Sequence, residues 1–110
     1  MVGTAQEIVA TVETSAEAKQ DILEIIEYLL GSAGFETSNL YFARFSRLFE
    51  SLSMHPESGS LQPHLGKGTR MRVVAPYNVY TDYNEAQDIV VILRVLHGSR
   101  KITRRMMRPR

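Results

Sequence analysis

The sequence predicts a small α+β domain in which a helical hairpin packs on one face of an antiparallel sheet. Apolar side chains recur at helical spacing in two stretches between residues 14 and 54. Apolar and polar side chains alternate over much of residues 69–97, as strands require. With 110 residues the chain has the usual size of one domain, so we expect a single domain over residues 1–110.

The composition excludes several classes of protein. The chain is 44% hydrophobic and 23% charged, which is typical of a globular protein rather than a disordered or collagen-like one. It has no cysteine, and therefore no disulfide framework and no thiolate nucleophile. No apolar run is long enough to span a bilayer, and Glu7 and Glu13 stand where a signal peptide carries basic residues. We expect a cytoplasmic protein that does not contact membranes.

The first two elements are predicted to be a strand and a helix. Residues 6–13 alternate β-branched side chains, which favours a short strand. Thr14 and Glu17 have the spacing of a capping box and predict a helix that begins there. Gly31 and Gly34 are expected to end it. The apolar stripe of this helix consists of Ala18, Ile22, Ile25, Ile26, Leu29 and Leu30.

A second helix is predicted from about residue 37 or 38 to Met54, antiparallel to the first because the connection is short. Phe42 and Phe49 are expected to widen its apolar stripe on one flank, whereas Arg44 and Arg47 are expected to face outward. The stripe itself consists of Tyr41, Phe45, Leu48 and Leu52.

Three strands are predicted after a loop over residues 55–68. Residues 69–75 place Arg70 and Arg72 on one face. Residues 77–83 place Tyr77 and Tyr80 on opposite faces, where they either pack in the sheet or stack on bases. Residues 89–97 are almost wholly apolar, which is typical of an internal strand covered on both faces.

Arg94 is the charged exception in the last strand. By alternation it is predicted to share a face with Val90, Ile92 and Leu96. A half-buried guanidinium needs an acidic partner or a ligand. An ion pair with Asp82, Glu85 or Asp88 and a role in binding are equally good interpretations.

Charge is distributed unevenly along the chain. Residues 1–50 carry three basic and eight acidic side chains, whereas residues 51–110 carry ten basic and four acidic ones. The last eleven residues hold six of these bases and no acid, so they form either a contact for nucleic acid or an acidic protein, or a solvated tail. We expect the segment from Thr103 onward to contain no core residue.

The strand arginines are the strongest candidates for a functional site. If the three strands are neighbours, five basic side chains converge on one polyanion-binding surface: Arg70, Arg72, Arg94, Arg100 and Lys101. The histidines His55, His64 and His97 lack metal-ligand spacing, and no nucleotide-binding or nucleophile motif occurs. We expect neither a metal nor a cofactor.

Four segments together resemble the ParE/RelE superfamily of toxins from bacterial type II toxin–antitoxin systems, over about residues 6–101. The segments are Ala18-x-x-Asp21-Ile22-x-x-Ile25-x-x-Tyr28-Leu29, the helix end from Leu48 to Pro56 followed by Gly59, Arg70-x-Arg72-Val73-Val74-x-Pro76-Tyr77-x-Val79-Tyr80, and Ile92-Leu93-Arg94-Val95-Leu96-His97-Gly98-x-Arg100. The Leu-His-Gly-x-Arg ending is most similar to the ParE, or plasmid stabilisation, branch.

The resemblance implies a partner and two alternative targets. The partner is a small antitoxin, ParD-like and of the ribbon-helix-helix type, whose C-terminal segment wraps the toxin. ParE-like toxins poison DNA gyrase, whereas RelE-like toxins cleave messenger RNA on the ribosome without a metal. The residues expected to contact the target or the antitoxin are Arg70, Arg72, Tyr77, Tyr80, Arg94, His97, Arg100, Lys101, Arg104 and Arg105.

The two targets require different chemistry. RNA cleavage needs a base, an acid and cations at one phosphate. Arg70, Arg72 and Arg94 match arginine positions of the family, but the tyrosine that many RelE-like nucleases carry after the last strand is missing, which leaves His97 as the nearby titrating group. Gyrase poisoning is therefore the favoured hypothesis. A ribosome-dependent nuclease, a non-toxic nucleic-acid-binding module and a degenerate toxin are the alternatives.

Overall fold

Two antiparallel helices cover one face of a five-stranded sheet in the computed structural model, which describes residues 9–108. The predicted α+β class is confirmed. The elements are β1 (Thr11–Thr14), α1 (Ala16–Ala33), α2 (Phe35–Met54), β2 (Ser60–Leu61), β3 (Arg70–Val74), β4 (Tyr77–Asn84), β5 (Ile89–His97) and a 3₁₀ helix (Arg104–Met107). Within the described residues no helix is long and apolar enough to cross a membrane.

The sheet is mixed, with the strand order β1-β5-β4-β3-β2. Strands β3, β4 and β5 form the predicted antiparallel meander. The first strand adds to it in parallel, from Thr11 opposite Ile89 to Thr14 opposite Ile92. The two residues of β2, which lie within the predicted loop, pair with the other end of the sheet. The apolar β5 is thus an internal strand, as its composition predicts.

The start of α1 differs from the prediction. Ser15 caps the helix, because its hydroxyl accepts a hydrogen bond from the backbone N–H of Ala18 at 3.0 Å and donates one to the carbonyl of Leu93 at 2.9 Å. Thr14, the predicted cap, belongs to β1, which begins at Thr11. Residues 1–8, which include the first part of the predicted strand, lie outside the described residues.

The turn between the helices is shorter than predicted. α1 continues through Gly31 and ends at Gly34, whose φ of 94° is a conformation that favours glycine. α2 begins at the next residue, Phe35. Leu30 and Phe42, assigned to the buried stripes, are 50% and 55% exposed, because they lie on the flanks of the helices rather than over the sheet.

The larger core fills the space between the hairpin and the sheet. Phe45 and Leu52 of α2 lie at its centre and are almost fully buried. Each such side chain stabilises the fold by about 1.5–3 kcal/mol through removal of apolar surface from water. The buried members of this core are Ala10, Ala18, Phe45, Leu48, Leu52, Tyr77, Val79, Val90, Ile92 and Val95.

A smaller core covers the opposite face of the sheet. It consists of Leu65, Tyr80, Leu96 and Met107. Met107 is 6% exposed, so the expectation that the segment from Thr103 onward contains no core residue is wrong. The physical reason is that β5 is apolar on both faces, and the 3₁₀ helix supplies the cover that the loop provides only in part.

A β-bulge determines on which face of the sheet the Arg94 side chain lies. Tyr80 pairs with Arg94, whereas the next residue, Thr81, pairs with Ile92, so Leu93 has no partner in β4. The extra residue reverses the alternation of β5 at this point. Ile92 therefore faces the larger core while Arg94 faces the other side together with Tyr80, and the prediction that Arg94 and Ile92 share a face is wrong.

The turn between β4 and β5 contains a titrating pair. The hydroxyl of Tyr83 donates a hydrogen bond to Asp88 Oδ1 at 2.6 Å, which raises the pKa of Tyr83 from 10.0 to about 12. The unfolded chain loses this proton near pH 10 and the folded chain near pH 12, so we expect stability to fall as pH rises through this window.

Tyr83→Phe tests this expectation. The variant cannot ionise at this position, so the free energy of unfolding should fall less between about pH 9 and about pH 12 than it does in the wild type. Chemical denaturation at both pH values measures the difference. An equal decline in both proteins would contradict the assignment.

Candidate functional site

The candidate site centres on an ion pair between Asp21 of α1 and Arg94 of β5. The guanidinium donates from Nε to Oδ2 at 2.7 Å and from Nη2 to Oδ1 at 2.8 Å. Oδ2 also accepts from the backbone N–H of Val95 at 3.0 Å, and Nη1 of Arg94 donates to the carbonyl of Met106 at 3.4 Å. The pair thus connects α1, β5 and the C-terminal 3₁₀ helix.

This geometry follows from where β1 ends. β1 pairs with β5 only as far as Ile92, which leaves the edge of β5 open at Val95, and Asp21 satisfies the N–H exposed there. The Arg94 and Asp21 side chains are 16% and 9% exposed. The hydrogen bonds from Arg94 to Asp21 raise the pKa of the guanidinium, against the opposing effect of burial, so the arginine remains charged.

Of the two interpretations of Arg94, an ion pair or a role in binding, the structure shows an ion pair, but with Asp21 and not with Asp82, Glu85 or Asp88. Asp82 instead accepts from the hydroxyl of Thr69 at 2.7 Å, and Asp88 accepts from Tyr83. Glu85 is exposed in the turn after β4. The bulge places Arg94 on the face of the sheet that carries Tyr80, and Asp21 reaches it at the edge of β5, beyond the point where β1 ends.

A cleft of about 550 Å³ opens beside this pair, between the hairpin and the C-terminal end of β5. Tyr77 forms its floor and makes edge-to-face contacts with Tyr41 at 5.8 Å and with His97 at 5.7 Å between ring centroids. Burial is the main cause that raises the pKa of Tyr77, which stays neutral at physiological pH. The exposed side chains of Tyr28 and Arg100 border the opening.

His97 has a defined orientation in the cleft. Its Nδ1 accepts a hydrogen bond from the backbone N–H of Ser99 at 3.0 Å and lies 2.8 Å from the Ser99 hydroxyl. In the neutral ring the proton therefore resides on Nε2. Tyr77, His97 and Arg100, all predicted site residues, are brought together here.

A second groove, of about 390 Å³, lies between α2 and β3. Arg44 and Arg47 of α2 and Arg72 of β3 line it, and Leu48 and Val74 form apolar parts of its wall. Arg72 donates to the Ser58 hydroxyl at 2.7 Å. We refer to this region as the arginine groove.

Two of these arginines, Arg44 and Arg47, are not among the site residues that the sequence predicts. From the sequence they are expected only to face outward from the second helix. Their spacing of three residues, on the helix flank beside the buried stripe, was the available signal. The guanidinium of Arg44 also lies 5.1 Å from the centroid of the Tyr41 ring, a cation–π distance.

The predicted convergence of strand arginines on one surface is wrong. Arg72 lies on the α2 side of the sheet, and Arg70 donates to the carbonyl of Gly59 at 3.0 Å. Arg94 lies two strands away, on the other face, because β4 separates β3 from β5 and the bulge turns Arg94 over. Tyr80 is buried in the smaller core, where it cannot stack on a base.

The basic side chains near the C-terminal end of the chain also lie on separate surfaces. Arg100, Lys101, Arg104 and Arg105 are all exposed. Arg100 borders the cleft, whereas Arg104 and Arg105 form a separate exposed cluster with Arg108. No group of three or more His, Asp or Glu side chains with metal-binding geometry occurs in the part of the chain that the structure describes.

Residues 12–102 match the family described as ParE toxin of type II toxin–antitoxin system, parDE. The chain therefore belongs to the ParE toxin family, and the resemblance seen in the sequence is confirmed. Among curated proteins, none matches the sequence.

Two solved structures share the fold. The chromosomal ParDE system from P. aeruginosa matches with a TM-score of 0.68 at 15% identity, over 84% of this chain and 98% of that chain. The RelBE2 toxin–antitoxin complex from Mycobacterium tuberculosis matches with a TM-score of 0.58 at 24% identity, over 82% of this chain and 99% of that chain. At these identities the comparison establishes the fold alone.

Proposed function

We propose that this toxin arrests growth in the cytoplasm by poisoning DNA gyrase, and that a ParD-like antitoxin of the ribbon-helix-helix type neutralises it. The observation that carries the choice of target is the state of Arg94. Its guanidinium is held by Asp21 through two hydrogen bonds and is therefore engaged in the fold rather than free for a phosphate.

The positions of the other side chains that RNA cleavage would need also favour gyrase as the target. Cleavage of RNA by attack of the 2′-hydroxyl requires a base, an acid and cations around one phosphate. Arg72 lies in the arginine groove, on the other side of the sheet from Arg94. His97 is the only histidine that lines the cleft, and residues 99–107 contain no tyrosine that could act with it. This arrangement favours binding of a protein target over nuclease chemistry.

The surface of the hairpin supports an antitoxin partner. Six large hydrophobic side chains are at least half exposed on the two helices: Leu23, Tyr28, Leu30, Phe35, Phe42 and Met54. An exposed apolar stripe on a helix pair is a typical docking surface for an amphipathic helix. A segment that folds on binding would bury these side chains.

Purified toxin tests the target directly. We expect it to inhibit supercoiling by gyrase or to accumulate cleaved DNA, and to leave messenger RNA on programmed ribosomes intact. His97→Gln, which replaces a cleft residue, is compared with His64→Gln, which replaces an exposed histidine of the loop. Cleavage of the RNA that His97→Gln abolishes and His64→Gln preserves would establish the nuclease alternative.

Co-expression tests the antitoxin. The product of a neighbouring small gene should co-purify with the toxin and restore growth. Phe42→Glu should weaken the complex, because it places a charge among the exposed apolar side chains of the helical hairpin. Leu61→Glu, at an apolar residue of similar exposure in β2, is the matched control. Failure of both co-purification and rescue would contradict the antitoxin assignment.

A further inference from the structure

Three arginines near the C-terminal end of the chain lie together on the surface: Arg104, Arg105 and Arg108. They line one depression of about 240 Å³, and all three residues are exposed. Arg104 and Arg105 belong to the 3₁₀ helix, and Arg108 follows it directly. We refer to these three side chains as the C-terminal arginine cluster.

The backbone that carries this cluster is fixed by contacts with the rest of the fold. Met107 is 6% exposed and packs in the smaller core. The carbonyl of Met106 accepts a hydrogen bond from Nη1 of Arg94 at 3.4 Å. The N–H of Arg108 donates to the carbonyl of Arg105 at 3.2 Å. The three arginines are therefore presented from an ordered backbone, which lowers the entropy cost of binding a ligand.

The cluster has no carboxylate partner among the described residues. The ion pair that the structure shows there joins Arg94 to Asp21. Residues 89–110 contain no Asp or Glu, so no acid close in sequence offsets the charge of the cluster. Three like charges around one depression repel one another, and an anion bound between them would relieve this repulsion.

The surface around the cluster lacks the anchors of a protein interface. All large apolar side chains that are exposed in the described part of the chain lie at or before Val73 in the sequence. Met106 and Met107 pack in the smaller core instead. Protein interfaces are centred on aromatic or apolar anchors, whereas interfaces with nucleic acids are more polar and more positively charged. The cluster therefore fits phosphate groups better than an acidic protein.

We propose that the C-terminal arginine cluster binds the phosphate backbone of double-stranded DNA. A guanidinium group can donate two parallel hydrogen bonds to one phosphate. A duplex is favoured over a single strand, because residues 98–110 contain no aromatic side chain on which an unpaired base could stack. Contacts of this kind position a protein on DNA without reading its sequence.

The choice of DNA rather than RNA rests on the proposed function, because gyrase acts on DNA and the toxin would meet the enzyme and its substrate together. The cluster and the cleft beside the helical hairpin are lined by different residues. The 3₁₀ helix packs on the face of the sheet opposite the hairpin. A protein bound to the hairpin or the cleft would therefore leave the cluster accessible to DNA.

The test measures the binding of full-length toxin to a short labelled DNA duplex by fluorescence anisotropy. Three phosphate contacts predict a slope of about −2.7 when the logarithm of the association constant is plotted against that of the salt concentration. The affinity should therefore fall about 40-fold between about 50 and about 200 mM salt. Duplexes of unrelated sequence should bind equally well.

Glutamine substitution of the whole cluster tests the assignment. The variant Arg104→Gln with Arg105→Gln and Arg108→Gln should lower the affinity for the duplex by at least about tenfold at about 50 mM salt. Each replaced arginine should also reduce the salt slope by about one. Circular dichroism confirms that the variant is folded.

The arginine groove supplies the matched control. The variant Arg44→Gln with Arg47→Gln and Arg72→Gln makes the same change in net charge at a different surface. Its affinity for the duplex should differ from that of the wild type by less than about threefold, because long-range effects of charge are screened by salt. An equal loss in the two variants would show that net charge, and not the cluster, governs binding.

Three other results would also overturn the proposal: no binding of the duplex at about 50 mM salt, an unchanged salt slope in the cluster variant, or tighter binding of single-stranded DNA or of duplex RNA. The binding assay contains no gyrase, so its failure leaves the proposed function standing. If the toxin binds DNA through the cluster but does not inhibit gyrase, the DNA site is right and the proposed target is wrong.

Discussion

Asp21→Ala is expected to lower the free energy of unfolding by about 2–4 kcal/mol, a large part of the stability of a domain of this size. The substitution leaves the mostly buried guanidinium of Arg94 without its counter-charge. It also leaves the buried N–H of Val95 without an acceptor. Removal of one partner of a buried pair costs more than the pair contributes, because the desolvated charge remains. Urea denaturation of the two proteins measures the effect.

Two further variants separate the causes. Asp21→Asn keeps an acceptor for Val95 while it removes the charge, so its stability should lie between those of the wild type and Asp21→Ala. The double variant Asp21→Leu with Arg94→Met should recover part of the loss, since apolar residues of similar volume often replace a buried ion pair. A change of less than about 1 kcal/mol for Asp21→Ala would show that the pair is solvated and weak.

These variants also bear on the interpretation of Arg94 as a contact for a target. If Asp21→Ala and Arg94→Met reduce toxicity only in proportion to stability, Arg94 acts through the fold. If Arg94→Met abolishes gyrase inhibition while the protein remains folded, Arg94 has a role in binding as well. Asp21, which binds the guanidinium, lines the cleft. Stability and gyrase inhibition are therefore measured for the same variants.

Local patterns predicted most of the elements. The apolar spacing of Phe45, Leu48 and Leu52 predicted both α2 and the face that it buries, because a helical period leaves few alternatives. The continuous apolar run of β5 predicted an internal strand covered on both faces. Such features depend on neighbours in sequence, which a single chain shows directly.

Features that depend on distant residues could not be predicted in this way. Ser15 replaces Thr14 as the cap because its hydroxyl also bonds Leu93, 78 residues further along the chain. The parallel pairing of β1 with β5 joins the two ends of the fold. The bulge at Leu93 leaves no composition signal, yet it reverses the face of Arg94.

In the candidate site, too, some features follow from local sequence and others depend on distant residues. The sequence predicted that Arg94 needs an acidic partner or a ligand, because that requirement follows from burying a charge in an apolar strand. It could not predict Asp21, which is 73 residues away and reaches Arg94 only where β1 ends. Tyr77 and His97 were predicted site residues, but their edge-to-face contact arises from the pairing of β4 with β5.

Met107→Ala is the second change with a large expected effect, about 2–5 kcal/mol of unfolding free energy. Met107 packs with Leu65, Tyr80 and Leu96 on the face of the sheet opposite the helices. Its truncation would leave a cavity that a surface segment of four residues cannot readily close. Deletion of residues 103–110 should destabilise the protein at least as much, because it also removes Met106 and exposes the smaller core.

The basic side chains of the same segment provide the matched control. Arg104→Ala with Arg105→Ala leaves Met107 in place and replaces exposed side chains, so the stability should change by less than about 0.5 kcal/mol. Any loss of affinity for the antitoxin or for gyrase in this variant is then a charge effect and not a consequence of unfolding. If the deletion leaves the denaturation midpoint unchanged, Met107 does not contribute to the core, and the segment from Thr103 is the solvated tail that its charge suggests.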